Sequence, residues 1–364
     1  MINIAVVGLG KMGLSHLSMI RSHPDVDVVA VVDSTRYLLD ILHKYTRVPA
    51  FGDIETMLAS AQPDAMIIAT PTRLHAPMVR MALERGVHVF CEKPLCLSAA
   101  ESEQLVQLAA SRDLVTQVGY HNRFVGAFRE VHRLVGAEAI GEVTHVLAEA
   151  YGPVVLRPRG STWRSRKSDG GGSLYDYAAH PVDLVTWYLG SPIRAAGTAL
   201  RSVFSEQTED QVFATLFFPN GVTGQVSVDW SDESCRKMTT KITVWGTGGR
   251  IIADRQECRV YIRDTITPPA GYRLGWNTKY TTELTDATWF YLRGEEYSAQ
   301  LDHFVRRVAA RRTDGMNTFV SAARTDRALE LMTRDAAHGL ASPGRLDASL
   351  SASSLKRHLF RRHS

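Results

Sequence analysis

The sequence predicts two consecutive domains: an α/β domain with a doubly wound parallel sheet over residues 1–120, and an α+β domain with a largely antiparallel sheet over residues 121–341. Three observations lead there. Up to about residue 120, short apolar runs alternate with helix-period stretches, as buried parallel strands and their crossover helices do. Beyond it the strand-like segments become longer and rich in Val, Thr and aromatic residues. A glycine pattern, Gly8-Leu9-Gly10-Lys11-Met12-Gly13, sits at the first strand–helix junction. The length of 364 residues also suits two domains at roughly 150 residues each.

The elements follow in order. Ile2–Val7, Val28–Val32, Ala65–Ala69 and Val87–Phe90 read as buried strands. Met12–Ser22, Tyr37–Tyr45, Ala76–Arg85 and Ser98–Ser111 read as the helices between and after them. Glu142–Tyr151, Arg194–Phe204, Gln211–Phe218, Val222–Trp230 and Met238–Trp245 predict an antiparallel sheet with helices on one face. Pro219-Asn220-Gly221 predicts a tight hairpin turn between two of them, because Asn-Gly tolerates positive φ. Tyr297 to about Leu340 reads as helix, with its end from about 320 expected to pack back on the first domain. The Ser-rich segment 342–364 reads as a basic, disordered tail.

Composition excludes several classes. There is no run of about 18 apolar residues, so no membrane span is predicted. No basic leader precedes the first strand, and four cysteines are too few for a disulfide framework, which together predict a cytoplasmic protein. Cys91 and Cys96 lack a second pair at ligand spacing, so no metal site is predicted. The net charge of +4 comes entirely from Arg345, Lys356, Arg357, Arg361 and Arg362 against Asp347. Residues 1–344 then carry 37 basic and 37 acidic side chains, which argues against a nucleic-acid groove in the fold itself.

The glycine pattern predicts a dinucleotide site of the Rossmann kind. It offers a tight turn, close backbone approach to a pyrophosphate, and free N–H groups at a helix start. Gly8, Gly10, Lys11, Met12 and Gly13 would line it, and Asp33, twenty residues after Gly13, would accept from the ribose hydroxyls. That favours NAD, while Arg36 close by could pair a 2′-phosphate and admit NADP. Thr70, Pro71 and His75 after one strand, and Glu92 and Lys93 after the next, add candidate cofactor contacts. Lys93 can also donate to a substrate oxygen; its plain alternative is a salt bridge to Glu92.

Gly170-Gly171-Gly172 would let a backbone approach a ligand closely, and it leads into Ser173-Leu174-Tyr175-Asp176-Tyr177-Ala178-Ala179-His180-Pro181. A helix from Ser173 would place Asp176, His180 and Asp183 on one face, an arrangement suited to proton transfer. Two features compete with it. Ser173-x-x-Asp176 also fits a helix-capping pair, and Pro181 predicts a kink or a helix that begins later. Upstream, Arg157, Arg159, Arg164, Arg166 and Lys167 around Trp163 could hold an acidic or phosphorylated sugar, or form a solvated loop.

Taken in order, the glycine pattern with Asp33, Thr70-Pro71 with His75, Glu92-Lys93-Pro94, and the glycine run with Asp176 and His180 resemble the Gfo/Idh/MocA oxidoreductases over about residues 1–340. The resemblance implies a Rossmann domain followed by a domain whose open sheet forms an oligomer interface, as a homodimer or homotetramer. It implies NAD(P)-dependent hydride transfer on sugars, polyols or nucleotide sugars. By position, Lys93, Asp176 and His180 match the family's catalytic set, with His180 exchanging the hydroxyl proton, Lys93 bonding the same oxygen and Asp176 positioning both. Tyr120, Asn122 and Arg123 match the interdomain segment, and Trp163, Arg164 and Tyr177 the approach to the glycine run, where substrate contacts are expected along with Arg157. Ala178 and Pro181 depart from the family pattern. Two rival expectations are a dinucleotide-binding regulator without turnover, which intact Lys93, Asp176 and His180 disfavour, and a reductase of a non-sugar substrate with an apolar pocket.

Overall fold

The computed structural model describes residues 1–155 and 162–341. Arg157 and Arg159, and the tail 342–364, lie outside them. The first sheet is built from β1 (Ile2–Val7), β2 (Val26–Val32), β3 (Ala50–Phe51), β4 (Ala65–Ile68), β5 (His88–Cys91) and β6 (Thr116–Val118), all parallel, in the order β3-β2-β1-β4-β5-β6. The helices joining them are α1 (Lys11–Ile20), α2 (Arg36–Thr46), α3 (Ile54–Ala61), α4 (His75–Glu84) and α5 (Ala99–Ser111). The strand order reverses between β1 and β4, and open sheets of this kind bind ligands at that point, beyond the carboxyl ends of the strands. Sequence patterning missed β3, α3 and β6, which are too short to establish a period.

Strand residues of alternate parity serve two cores. Ala5, Val7, Met66, Ile68 and Val89 face the cluster that includes α3, α4 and α5. Ile4, Val6, Ile67 and Phe90 face the other, together with Leu17 and Ile20 of α1.

The second sheet has eight strands in the order β14-β13-β12-β11-β7-β10-β9-β8. They are β7 (Val143–Tyr151), β8 (Arg194–Arg201), β9 (Gln211–Phe217), β10 (Thr223–Asp229), β11 (Lys241–Gly246), β12 (Gly249–Ala253), β13 (Glu257–Ile262) and β14 (Gly275–Tyr280). The sheet is antiparallel except where β7 and β10 pair in parallel. That one exception lets a strand far back in sequence insert between the β9–β10 hairpin and β11. The predicted turn at Pro219-Asn220-Gly221 joins β9 to β10. Helices α6 (Gly126–Gly136) and α7 (Ala179–Leu189) cover one face, and the short α8 (Thr281–Leu284) follows β14. On the other face Phe213, Tyr261 and Trp276 are exposed.

The helical stretch expected from Tyr297 to Leu340 is two helices, α9 (Glu295–Ala309) and α10 (Phe319–Ala341). Leu301, Phe304, Val305 and Val308 of α9 recur at helical spacing and bury against Ile4, Val6 and Phe90. Thus α9 completes the core of the first sheet, while α10 lies against α5 and also against α7 and β8. Return of the chain to the first sheet therefore begins about 25 residues earlier than the expected position at 320.

Candidate active site

The glycine loop is closed by one side chain. The Asp33 carboxylate accepts from the Leu9 N–H (2.7 Å) with one oxygen and from the Thr35 N–H (2.8 Å) with the other. A Cβ at Gly13 would overlap the Gly8 carbonyl, so only glycine lets α1 pack this closely on the loop. No side chain caps the start of α1, which begins at Lys11 after Gly10, so its first N–H groups remain available for an anion. Lys11 and Arg36 stand exposed at the first residues of α1 and α2. These features fit a dinucleotide: a helix that only a glycine at 13 lets pack this tightly on the loop, donors for the phosphates, and an acid at the end of β2.

Thr70 and Pro71 follow β4, but His75 does not face a ligand. It is buried, with Nδ1 2.9 Å from the Pro94 carbonyl and Nε2 2.9 Å from the Thr70 carbonyl. Burial lowers its pKa against the two carbonyls, and the ring, set between them, ties the loop after β4 to the loop after β5. Glu92 likewise has another partner than the one its neighbour suggested. Its carboxylate meets His16 Nε2 (2.7 Å), a buried residue of α1 that sequence reasoning missed. Burial works against ionisation of Glu92, but His16 and Lys93 outweigh it and hold its pKa below the usual value. The Lys93 side chain is thereby left to reach the second domain.

That reach defines the centre. Lys93 Nζ donates to the Asp176 carboxylate (3.0 Å) and to the Asp176 carbonyl (2.7 Å). Arg164 Nε donates to the other carboxylate oxygen at 2.7 Å. Burial raises the Asp176 pKa, but the charges of Lys93 and Arg164 prevail and bring it down to about 2. Asp176 therefore does not cap the helix. It holds Lys93 and Arg164, and among the described hydrogen bonds it makes none to His180.

The segment carrying Asp176 and His180 begins with a π-helical turn, Leu174–Ala178, that runs directly into α7. The Ala179 N–H bonds back to the Leu174 carbonyl, five residues away. The regular helix therefore begins later than Ser173, at Ala179, as Pro181 predicts, with one wide turn ahead of it. The preceding glycines meet protein, not open space. A Cβ at Gly170 would press on Leu97 and Thr72, at Gly171 on the Trp163 and Arg164 carbonyls, and at Gly172 on the Glu209 carboxylate. The run is thus a packed seam between the two domains. A second buried acid reinforces it: Asp169 takes Arg73 Nε (2.5 Å) from the first domain and Arg166 Nε (2.8 Å) from its own loop.

His180 is buried, and its Nδ1 has no partner. Burial, and then the charges of Lys93 and Arg255, hold its imidazole well below the ordinary histidine value, so the ring is neutral. The ring of His121 lies edge-on to it at 4.9 Å, and that of Tyr120 at 6.5 Å.

Among the residues expected to touch substrate, Arg123 and Tyr177 are engaged elsewhere, whereas the Tyr120 hydroxyl and Asn122 Nδ2 are buried without a partner. Arg123 is buried in a two-point ion pair with Asp183 (2.8 and 2.6 Å) and also donates to Ser321 (2.5 Å), so its guanidinium is committed to joining α7 and α10. Asp183 is spent in the same pair, with Thr325 donating to it as well. Tyr120 is buried, with its carbonyl taken by the Asn317 amide. Tyr177 is buried edge-on to Trp230, its hydroxyl against Gly152. Arg164 lies over the Trp163 ring at 4.8 Å while it binds Asp176. Asn122 is buried beside Arg255, its Nδ2 without a partner. Sequence reasoning missed His16, His121, Arg255 and Tyr297 as site residues; Arg255 and Tyr297 lie in polar stretches, Asp254-Arg255-Gln256-Glu257 and Glu295-Glu296-Tyr297-Ser298, that carry no local signal for a site.

A dinucleotide loop on one sheet, facing a lysine and a neutral histidine drawn from two domains, defines a nicotinamide-dependent oxidoreductase of the kind that interconverts a carbinol and a carbonyl. Residues 2–120 match the family model described as oxidoreductase family, NAD-binding Rossmann fold, and residues 128–252 match the GFO/IDH/MocA C-terminal domain. The chain belongs to the Gfo/Idh/MocA oxidoreductase family. It is 27% identical over 238 residues to D-glucoside 3-dehydrogenase of Escherichia coli (strain K12), covering 60% of this chain and 68% of the relative. It is 29% identical over 275 residues to dTDP-3,4-didehydro-2,6-dideoxy-alpha-D-glucose 3-reductase of Streptomyces antibioticus, covering 72% and 77%. Among solved structures it resembles GenD2 from gentamicin A biosynthesis, in complex with NAD, at a TM-score of 0.76 and 27% identity over 93% of this chain and 95% of that one.

Proposed function

We propose that the chain oxidises a secondary ring hydroxyl of a sugar, polyol or nucleotide-linked sugar to the ketone, or runs the reverse, with NAD as the favoured cofactor. The observation that carries this reading is a buried His180, its Nδ1 unpartnered, beside a lysine whose ammonium is fixed by Asp176. Gly8, Gly10, Lys11, Met12 and Gly13 would hold the pyrophosphate, Asp33 the ribose, and the Thr70-Pro71 and Glu92-Lys93 loops the nicotinamide end. The bound nicotinamide supplies a hydride acceptor for the carbinol hydrogen. His180 takes the hydroxyl proton as the carbon is oxidised, since only a bare nitrogen can accept it. Lys93 donates a hydrogen bond to the same oxygen, and Asp176 keeps its ammonium aimed there. In reduction His180 would return the proton to the same oxygen as the carbonyl carbon takes up the hydride.

The Asp33 carboxylate, fixed by the Leu9 and Thr35 N–H groups, would repel a 2′-phosphate, which supports NAD over NADP. Work in the cytoplasm is supported by four free cysteines. The exposed Phe213, Tyr261 and Trp276 support a homo-oligomer formed through the open face of the second sheet.

The test is nicotinamide absorbance under NAD+ and under NADP+ with three panels: neutral pyranosides, inositols, and nucleotide-linked hexoses. Reduction of NAD+ with members of one panel, lost in His180→Asn and Lys93→Met, is the expected result. No change in any panel, in either direction, would overturn the substrate class; a clear preference for NADP+ would overturn the role given to Asp33.

A further inference from the structure

His180 has no hydrogen-bonding neighbour of its own at Nδ1, yet its ring is closely set. What sets it is a chain of contacts from three separate segments. His121, in the 3₁₀ turn His121–Phe124 after β6, presents its ring to His180 at 4.9 Å and an interplanar angle of 68°. Its other side is stacked on Tyr297 of α9, at 4.5 Å and 18°. Arg255, in the turn between β12 and β13, places Nη1 3.2 Å from His121 Nε2. The same guanidinium is held by Glu296 of α9 and donates to the Asn122 side-chain Oδ1 at 3.4 Å.

The chemistry of these partners removes an ambiguity. Arginine has five donors and no acceptor, so His121 Nε2 must be the bare nitrogen and the ring proton must sit on Nδ1. His121 is thus fixed in tautomer by Arg255, in plane by Tyr297, and in position by burial.

We propose that Arg255 and His121 are positioning residues for His180: Arg255 locks the His121 ring, and the His121 ring holds the His180 imidazole in place. This rests on the reading of His180 as the proton acceptor. The groups facing His180 support the assignment from each element packed on it: Lys93 from the loop after β5, Tyr120 and His121 from the end of β6, and Arg255 from the β12–β13 turn. Facing His121 are His180, Arg255, Lys93, Arg293 and Tyr297, with Glu296 behind Arg255. Burial first, then His180 and the three cations, keep the His121 pKa well below its ordinary value, so it adds no positive charge of its own beside His180.

The experiment needs no substrate. The full chain is labelled with [13Cε1,15N]-histidine, the His180 resonance is assigned with His180→Asn, and its titration is followed by NMR. Arg255→Gln should raise the His180 midpoint by about one pH unit, as loss of a nearby unit charge does at a partly buried site. Arg255→Lys should restore the wild-type midpoint. His121→Ala should raise the midpoint as well, and His121→Phe, which keeps a ring on Tyr297, should bring it back. Folding of each variant is checked by its thermal midpoint and by NADH fluorescence, with Arg255→Met replacing any Arg255→Gln that does not fold.

Unchanged midpoints in Arg255→Gln and His121→Ala would overturn the proposal. So would an Arg255→Lys midpoint displaced as far as that of Arg255→Gln, which would leave packing alone as the role of Arg255. The base reading fails by a separate route, if His180→Asn keeps the wild-type rate of NAD+ reduction with a sugar that the wild type oxidises.

Discussion

Lys93 donates to both the carboxylate and the backbone carbonyl of Asp176, so one ammonium is tied to two acceptors of the same residue across the junction of the two sheets. Two acceptors fix direction as well as distance. Asp176→Asn keeps the carbonyl and one side-chain acceptor but loses the charge that holds Lys93 and Arg164. Turnover should fall by about 10²-fold or more, as it does when a positioned acid–base group is disturbed. The NADH dissociation constant, from fluorescence quenching, should stay within about twofold.

Acid stability follows from the same carboxylate. Its pKa is lowered from 3.8 to about 2, so the unfolded chain binds the proton first. The stabilisation is complete above about pH 4 and disappears as the pH falls towards 2. Urea midpoints measured across that window should drop in the wild type and drop less in Asp176→Asn.

His180 and His121 act at higher pH, with pKa values well below the ordinary 6.5 in the folded protein. Between that value and their folded values the unfolded chain holds more protons, so acidification destabilises the fold from about pH 6.5 downward. Each group contributes a slope of up to about 1.4 kcal/mol per pH unit. His121→Phe should flatten the slope by one proton. The base limb of the oxidation rate should likewise lie below 6.5, because His180 stays bare there.

Arg123 makes a structural prediction instead. Arg123→Met leaves the Asp183 carboxylate buried without its partner, at a cost of about 3–5 kcal/mol. Burial already pushes the Asp183 pKa up despite Arg123. Thermal unfolding should show the loss, and Arg123→Met with Asp183→Leu should recover much of it. NADH affinity of the molecules that remain folded should not change.

Gly172 has φ of +104° and no room for a methyl group beside Glu209. Gly172→Ala should destabilise by about 2 kcal/mol or more, through dihedral strain and overlap together. Adding Glu209→Ala should relieve the overlap and leave the strain, so the double variant's thermal midpoint should lie between the two.

Four of the six strands of the first sheet were legible in the sequence, because buried parallel strands leave apolar runs and the dinucleotide turn demands glycines at fixed offsets, while β3 and β6 were too short to show. The sequence also marked Lys93, Asp176 and His180, whose spacing survives in linear order. It could not determine what those side chains meet. The glycine run 170–172 reads equally as a ligand cradle or a packed seam, and the positions of Thr72, Trp163 and Glu209 decide for the seam. Arg123 and Arg164 look alike in sequence, but one is buried against Asp183 and the other is half exposed over Trp163. Tertiary structure alone decided that Asp176 grips Lys93, that Glu92 turns to His16, and that α9 fills the core of the first sheet. Each of these joins residues more than 60 positions apart, and no local period or propensity carries such a pairing. Buried charge seeking an opposite partner decides the first two pairings, and burial of apolar surface decides the third.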